Sequence, residues 1–119
     1  MAVLYSNNAE TTITQSISAT DTTIQIATGS GSEFPNPGAG DHFYVTLVGD
    51  DGTGGEILEV IRCTTRATDT LTVVRGLDDT TASAFNAGDK LELRVTKILM
   101  DDIQEDAADE AMAMAIALG

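Results

Sequence analysis

The sequence predicts a mainly β fold, a small antiparallel β-barrel or sandwich of about six strands followed by one C-terminal α-helix. Two observations lead to this prediction. In the first two thirds of the chain, Thr-rich segments with alternating apolar residues are separated by stretches rich in Gly, Asp and Asn. That pattern is typical of half-buried strands joined by tight turns. From residue 96 onward the apolar residues recur every three or four positions, which is the period of a helix.

Six segments carry the strand pattern, because apolar residues occupy alternate positions in each of them. In the clearest case, Phe43, Val45 and Leu47 share one face. The stretch Thr28–Gly40 is predicted to be a loop, since it contains both prolines of the chain and proline cannot donate to a sheet. The predicted strands are Thr11–Ile17, Thr22–Ala27, Asp41–Val48, Glu56–Thr65, Thr70–Arg75 and Leu91–Val95.

The helix is predicted to run from about Lys97 to Ala117. Thr96 is a suitable N-cap, and Asp101 and Asp102 lie in the early turns, where the helix dipole favours anions. An apolar stripe along this helix suits packing against another helix, and it predicts the contact surface of a homo-oligomer. The stripe consists of Leu99, Ile103, Ala107, Ala111, Met114 and Leu118.

The chain therefore divides into three parts, an extended N-terminal arm at residues 1–10, a β-domain at 11–95 and the helical segment at 96–119. A terminal arm is poorly ordered unless something holds it, and an extended arm can add to the edge of a neighbouring sheet. We therefore expect the arm to dock on another chain, and composition leaves a frayed terminus open as the alternative. Its anchoring residues would be Val3, Leu4, Tyr5, Asn7 and Asn8.

The charge balance excludes two classes of partner. Six Lys and Arg residues oppose nineteen Asp and Glu residues, which gives a formal net charge of -13. Binding to nucleic acid or to an anionic membrane requires clustered basic residues. A membrane-spanning helix requires about 20 apolar residues, whereas the longest apolar-rich stretch, Ala111–Leu118, has eight.

The acidic residues are densest in the predicted helix, where residues 101–110 hold six carboxylates and no basic residue. Like charges four positions apart repel one another on a helix. Either a basic partner surface or screening by salt would relieve this repulsion, and the sequence leaves both open. The predicted acidic face consists of Asp102, Glu105, Asp106 and Asp109.

No catalytic, cofactor-binding or metal-binding residue is predicted, and no cofactor is expected. A single cysteine and a single histidine exclude a disulfide framework, a cysteine-based zinc site and most catalytic triads. Cys63 is in phase with Ile57 and Ile61 and is predicted to be a buried thiol. His42 is predicted to be an exposed histidine on a strand.

Paired acids in turns are a further candidate, because calcium takes oxygen ligands. Their spacing does not match the calcium-binding loop of EF-hands, and Asp is common in turns for its own hydrogen-bonding reasons. We therefore expect them to be solvated turn residues. They are Asp50, Asp51, Asp78 and Asp79.

Three blocks of the sequence, which together cover most of residues 5–96, resemble a known family. The first is Ser6–Thr12; the second comprises Thr20–Ile24, Phe34–Pro35 and Asp41–Leu47; the third comprises Leu71–Gly76, Thr80–Ala82, Phe85, Ala87–Asp89 and Leu91–Arg94. They are similar to small virion proteins of tailed bacteriophages, which often form the N-terminal anchor domain of tail fibres.

The resemblance implies a structural virion protein that acts by protein–protein assembly, as a tail-fibre anchor or a tail connector or adaptor. It implies other virion structural proteins as partners, a homotrimer by analogy with fibre proteins, and location in the virion after synthesis in the host cytoplasm. A capsid decoration protein on the head shell shares the same composition and fold class and remains open. An enzyme is disfavoured, since no nucleophile or acid–base pair stands in a recognisable motif.

Overall fold

The structure, a computed structural model, describes residues 3–4, 9–94 and 96–104 and confirms the predicted fold class. A curled antiparallel sheet of six strands forms a half-barrel, and one α-helix follows it in the described part of the chain. The strands are β1 (Val3–Leu4), β2 (Glu10–Thr12), β3 (Thr23–Gln25), β4 (His42–Asp50), β5 (Glu56–Ala67), β6 (Thr70–Leu77) and β7 (Lys90–Glu92).

The antiparallel strands follow the order β2-β7-β4-β5-β6-β3, and β1 pairs with β4 in the parallel sense. Two strands share one edge of β4. The strand β7 pairs with residues 46–48, whereas β1 pairs with residues 42–43. Because β7 ends at Glu92, it leaves the first part of this edge open, and β1 supplies the missing hydrogen-bonding partner there.

The sheet curls because the segments that follow β2 and β3 approach each other. Ile13 forms an isolated bridge with Ile26, and Ile17 forms one with Phe85. The predicted strands 11–17 and 22–27 are therefore too long. Their ends leave the regular ladder and make single contacts that close the half-barrel instead.

The main core lies on the concave side of the sheet. Phe43, Val45 and Leu47 are all at most 1% exposed, as their alternation predicts. Cys63 and Ile61 on β5 face them and are fully buried. Both β4 and β5 extend beyond their predicted ends. Residues 49–50 of β4 still pair with residues 56–57, and residues 66–67 of β5 still pair with residues 70–71 of β6.

The predicted loop before β4 contains a short 3-10 helix, Ser30–Glu33. The Asp69 carboxylate accepts hydrogen bonds from the amides of Gly29 and Gly31, at 3.0 Å and 2.9 Å. These bonds hold the pKa of Asp69 below its usual value. Gly31 must lack a side chain, since a Cβ there would lie 1.9 Å from the Thr68 carbonyl oxygen.

The helix α1 spans residues 97–104 within the described part of the chain. Thr96 is its N-cap, as predicted, because its hydroxyl oxygen accepts a hydrogen bond from the Leu99 amide at 3.3 Å. The predicted continuation of the helix to Ala117 lies outside the described residues. Within the segments that are described, no helix has the length and apolar character that a membrane span requires.

Candidate functional site

A second apolar cluster lies on the convex side of the sheet, where strand β1 and helix α1 meet. Its buried members come from four different elements and are Val3 on β1, Tyr44 on β4, Val60 on β5 and Leu99 on α1. Leu77, Leu93, Ile98 and Ile103 pack around them and are partly buried. We call this cluster, formed by Val3, Tyr44, Val60 and Leu99, the terminal face.

The terminal face changes the interpretation of the apolar stripe. Leu99 and Ile103 were expected to contact another copy, but both pack on the sheet of their own chain, and Leu99 is only 3% exposed. The physical reason is that β4 and β5 carry apolar side chains on both faces, so the convex face also needs a cover. The other stripe residues, Ala107, Ala111, Met114 and Leu118, lie outside the described residues.

The arm also differs from the expectation of docking on another chain. Val3 pairs with His42, and Leu4 pairs with Phe43 within the same chain. Val3 is 7% exposed and Leu4 packs against the main core, because the open edge of β4 offers both hydrogen bonds and apolar contacts. The sheet therefore begins within the predicted arm. Tyr5, Asn7 and Asn8 lie outside the described residues.

A polar contact fastens α1 to the sheet beside this apolar cluster. The Asp102 Oδ2 atom accepts a hydrogen bond from the Tyr44 hydroxyl and lies 2.9 Å from the His42 Nε2 atom. Since an ionised carboxylate only accepts, Nε2 carries the proton. The His42 and Tyr44 rings meet edge to face, with centroids 5.2 Å apart.

This contact contradicts two expectations from the sequence. His42 was expected to be exposed, but it is half-buried and bonded to Asp102. Asp102 was expected to face a basic partner, but it faces its own sheet, because it lies one turn of helix after Leu99 and follows that residue onto β4. The remaining residues of the predicted acidic face, Glu105, Asp106 and Asp109, lie outside the described residues.

The pKa values of Tyr44 and Asp102 are set by burial and by the hydrogen bonds that Tyr44 and His42 donate to Asp102. Burial, together with the hydrogen bond to Asp102 and the negative charge of Asp102, raises the pKa of Tyr44 to about 12. Burial alone would raise the pKa of Asp102, but hydrogen bonds from Tyr44 and His42 outweigh it and leave this pKa below its usual value. The positive charge of Arg62, which pairs with Tyr44 across the strands, acts in the same direction. Asp102 is therefore ionised at neutral pH.

Sequence reasoning missed a buried ion pair between Glu59 and Arg75. Glu59 is fully buried, and its two oxygens accept hydrogen bonds from the Arg75 guanidinium at 2.7 Å and 2.8 Å. The amides of Gly76 and Ser83 also donate to this carboxylate, both at 2.9 Å. Glu59 shares its strand face with Ile57 and Ile61, so an acid at an inward position was the signal available in the sequence.

The Arg75 side chain also ties three loop carbonyls to the sheet. It donates to Ser18 and Asp21, both at 2.8 Å, and to Ser83 at 2.6 Å. One guanidinium thus connects β5 and β6 with two separate connecting segments. Its planar array of donors suits such a junction, where a lysine would supply only a single charged atom. The pair is therefore a structural element of the half-barrel.

The immediate surroundings of Cys63 and of the turn residues Asp50 and Asp51 explain the state of these side chains. Cys63 is fully buried, as predicted, and burial raises the pKa of its thiol to about 11, which keeps it protonated at neutral pH. Asp50 accepts a bond from the Gly52 amide, and Asp51 accepts three bonds from Thr53 and Gly55. No cluster of three or more potential metal-ligating side chains occurs among the residues that the structure describes.

Several residues of the three sequence blocks hold the framework together. Arg75 forms the buried ion pair, Phe85 bridges to Ile17, and Gly76 has a φ of 64°, which favours glycine. The Asp89 carboxylate accepts a bond from the Asn86 amide at the turn before β7. These residues therefore specify the fold and do not by themselves form a binding surface.

No protein-family model matches the chain, and no curated protein matches the chain at a significant level. The candidate site is therefore assigned from the chemistry of the chain itself. In the described part of the molecule, the terminal face is the place where residues of the predicted arm and of the predicted contact helix come together.

Proposed function

We propose that the protein is a structural subunit of a tailed-bacteriophage virion, acting by protein–protein assembly as a tail-fibre anchor or tail connector. The observation that carries the proposal is that the N-terminal strand β1 and the helix α1 converge on the terminal face. Val3 from the N-terminal strand and Leu99 from the C-terminal helix pack in one cluster.

This arrangement supports an assembly role because contacts away from the terminal face stabilise the β-domain. The Glu59–Arg75 pair and the bridges of Ile13 and Ile17 hold the half-barrel together. A rigid domain that brings its N-terminal strand and its helix α1 to one face is suited to attaching a subunit to a larger particle. The virion context comes from the resemblance of the three sequence blocks to phage virion proteins.

The charge distribution supports a protein partner with a basic surface. Of the six basic residues, Arg75 is engaged with Glu59, Arg94 with Glu92 and Lys97 with Asp101. The formal net charge of -13 already counts all six basic residues, so an excess of thirteen acidic residues has no basic counterpart in the sequence. A basic partner would lower the repulsion between subunits packed side by side, and it would accelerate their attachment.

The test is quantitative mass spectrometry of purified particles of the phage that encodes this chain. We expect the chain in the particle at tens of copies or fewer, which corresponds to a tail component. Hundreds of copies would instead indicate a decoration protein on the head shell. Absence from purified particles, with the chain present in the infected cell, would contradict a structural virion role.

A further inference from the structure

The contact between α1 and the sheet includes two polar interactions that a helix serving only as an apolar cover does not require. Leu99 and the partly buried Ile98 and Ile103 already bury the apolar side of α1. An apolar helix side is free to slide and rotate on an apolar surface, since the hydrophobic effect is not directional. Asp102 adds two hydrogen bonds with defined donors, His42 and Tyr44, and these fix one orientation.

We infer that Asp102 is a positioning residue, whose contact with His42 and Tyr44 sets the orientation of α1 on the sheet, and that a partner in the particle recognises α1 in this orientation. The second half of this inference rests on the proposed function. The first half concerns the chain alone. Asp102 was expected from the sequence to be part of a surface that a partner contacts, so the two roles make different predictions.

The geometry supports an intramolecular role for three reasons. Only 23% of the Asp102 side chain and 18% of the His42 side chain are exposed, so a partner has limited access to either. Tyr44 is buried at 2% exposure, and its hydroxyl needs an acceptor at this position. Hydrogen bonds to an ionised acceptor are also stronger than neutral ones, which makes the contact resistant to displacement.

The neighbouring residue provides a matched control. Asp101 lies on the same helix and pairs with Lys97 at 2.8 Å, and half of its side chain is exposed. Replacing either aspartate by alanine removes the same charge and makes the same change in helix propensity. Asp101→Ala therefore loses an exposed ion pair within the helix, whereas Asp102→Ala loses the contact with the sheet.

The first measurement is amide hydrogen exchange of the full chain. In Asp102→Ala we expect exchange of residues 100–104 to become at least about tenfold faster, because α1 loses its charged hydrogen bonds to the sheet. In Asp101→Ala, exchange of the same residues should change less than about twofold, as is typical of an exposed ion pair. Exchange in the centre of β5 should be unchanged in both variants, which shows that the half-barrel is folded.

The second measurement uses the single histidine of the chain, whose ring resonances need no assignment. The ¹⁵N chemical shifts of His42 should report a proton on Nε2 in the native chain and in Asp101→Ala. In Asp102→Ala we expect a mixture of tautomers. Asp102→Asn retains one acceptor oxygen and should restore part of the Nε2 preference. Should Asp102→Ala fail to fold, Tyr44→Phe removes one of the two donors and should give a smaller acceleration of exchange.

The third measurement is incorporation of each variant into phage particles. We expect Asp102→Ala to lower incorporation and Asp101→Ala to leave it unchanged. Equal exchange and equal His42 shifts in the two variants would overturn the positioning role, whatever happens to incorporation. Altered exchange with normal incorporation would support the positioning role of Asp102 and would contradict the proposed attachment through the terminal face.

Discussion

Glu59 and Arg75 form a two-point ion pair in which the carboxylate is completely buried and the guanidinium side chain is 7% exposed. The two residues stand on adjacent strands, at a place where the register between β5 and β6 shifts. The carboxylate also accepts two backbone amides, so each of its oxygens has two partners. A buried charge is tolerated only when it is paired and hydrogen-bonded in this way.

Removing one partner of this pair should strongly destabilise the fold. We expect Glu59→Gln to lower the free energy of unfolding by about 3–5 kcal/mol, because it leaves the Arg75 charge buried without compensation. Urea denaturation measures the change. The double variant Glu59→Gln with Arg75→Met should recover part of the loss, since it leaves no buried charge. A loss below about 1 kcal/mol for the single variant would mean that the pair is not buried in solution.

Thr46 on β4 offers a route to greater stability. It is 2% exposed, and its hydroxyl oxygen has no hydrogen-bond partner in the structure. Thr46→Val removes an unsatisfied buried hydroxyl and should stabilise the protein by about 1 kcal/mol. Thr46→Ser keeps the hydroxyl and deletes the methyl group, so it should destabilise. Thermal unfolding of both variants measures the difference, and a destabilised valine variant would contradict an unpartnered hydroxyl.

Gly31 is predicted to tolerate no side chain. A Cβ at this position would overlap the Thr68 carbonyl oxygen, and backbone atoms give way less easily than side chains. We expect Gly31→Ala to destabilise by about 1–3 kcal/mol, as overpacking usually does. Gly38→Ala is the control, because a Cβ there meets only ordinary contact, 3.5 Å from the Asp41 carboxylate. Chemical denaturation that gives equal stabilities for the two variants would refute the close approach.

The stability should fall at alkaline pH because of Tyr44. Its pKa is raised from 10.0 to about 12 in the folded state. The unfolded chain therefore loses this proton first, so the stabilisation is complete below pH 10 and declines as the pH rises toward about 12. The free energy of unfolding, measured between pH 8 and pH 12, should show this decline. Tyr44→Phe should lack this component, and an unchanged profile would exclude Tyr44 as its source.

The oligomeric state should depend on the residues after α1. Because Leu99 and Ile103 are occupied within the chain, we expect a trimer interface to require residues 105–119. Native mass spectrometry should find a trimer for the full chain and a monomer for a chain that ends at Gln104. A monomeric full chain at physiological salt would contradict homotypic assembly. A trimeric shortened chain would place the interface on the β-domain.

Local patterns in the sequence were sufficient for the parts of the fold that depend on near neighbours. Alternation identified the buried faces of Phe43, Val45 and Leu47, and the phase of Cys63 identified it as buried. The position of Thr96 before a helical period identified the N-cap. Each of these features arises from backbone geometry that repeats every two or every 3.6 residues, and such a period is visible in a single sequence.

The tertiary structure alone decided which distant residues meet. Asp102 contacts His42 across 60 positions of the chain, and β1 pairs with β4 because β7 leaves that edge open. These contacts converted residues expected to face other chains into internal ones. The physical reason is that residue type alone does not specify the partner. Asp102 requires hydrogen-bond donors and Val3 and Leu99 require apolar contacts, and either another chain or their own sheet can supply these. Only the curvature and strand order of the sheet determine that their partners lie within the same molecule.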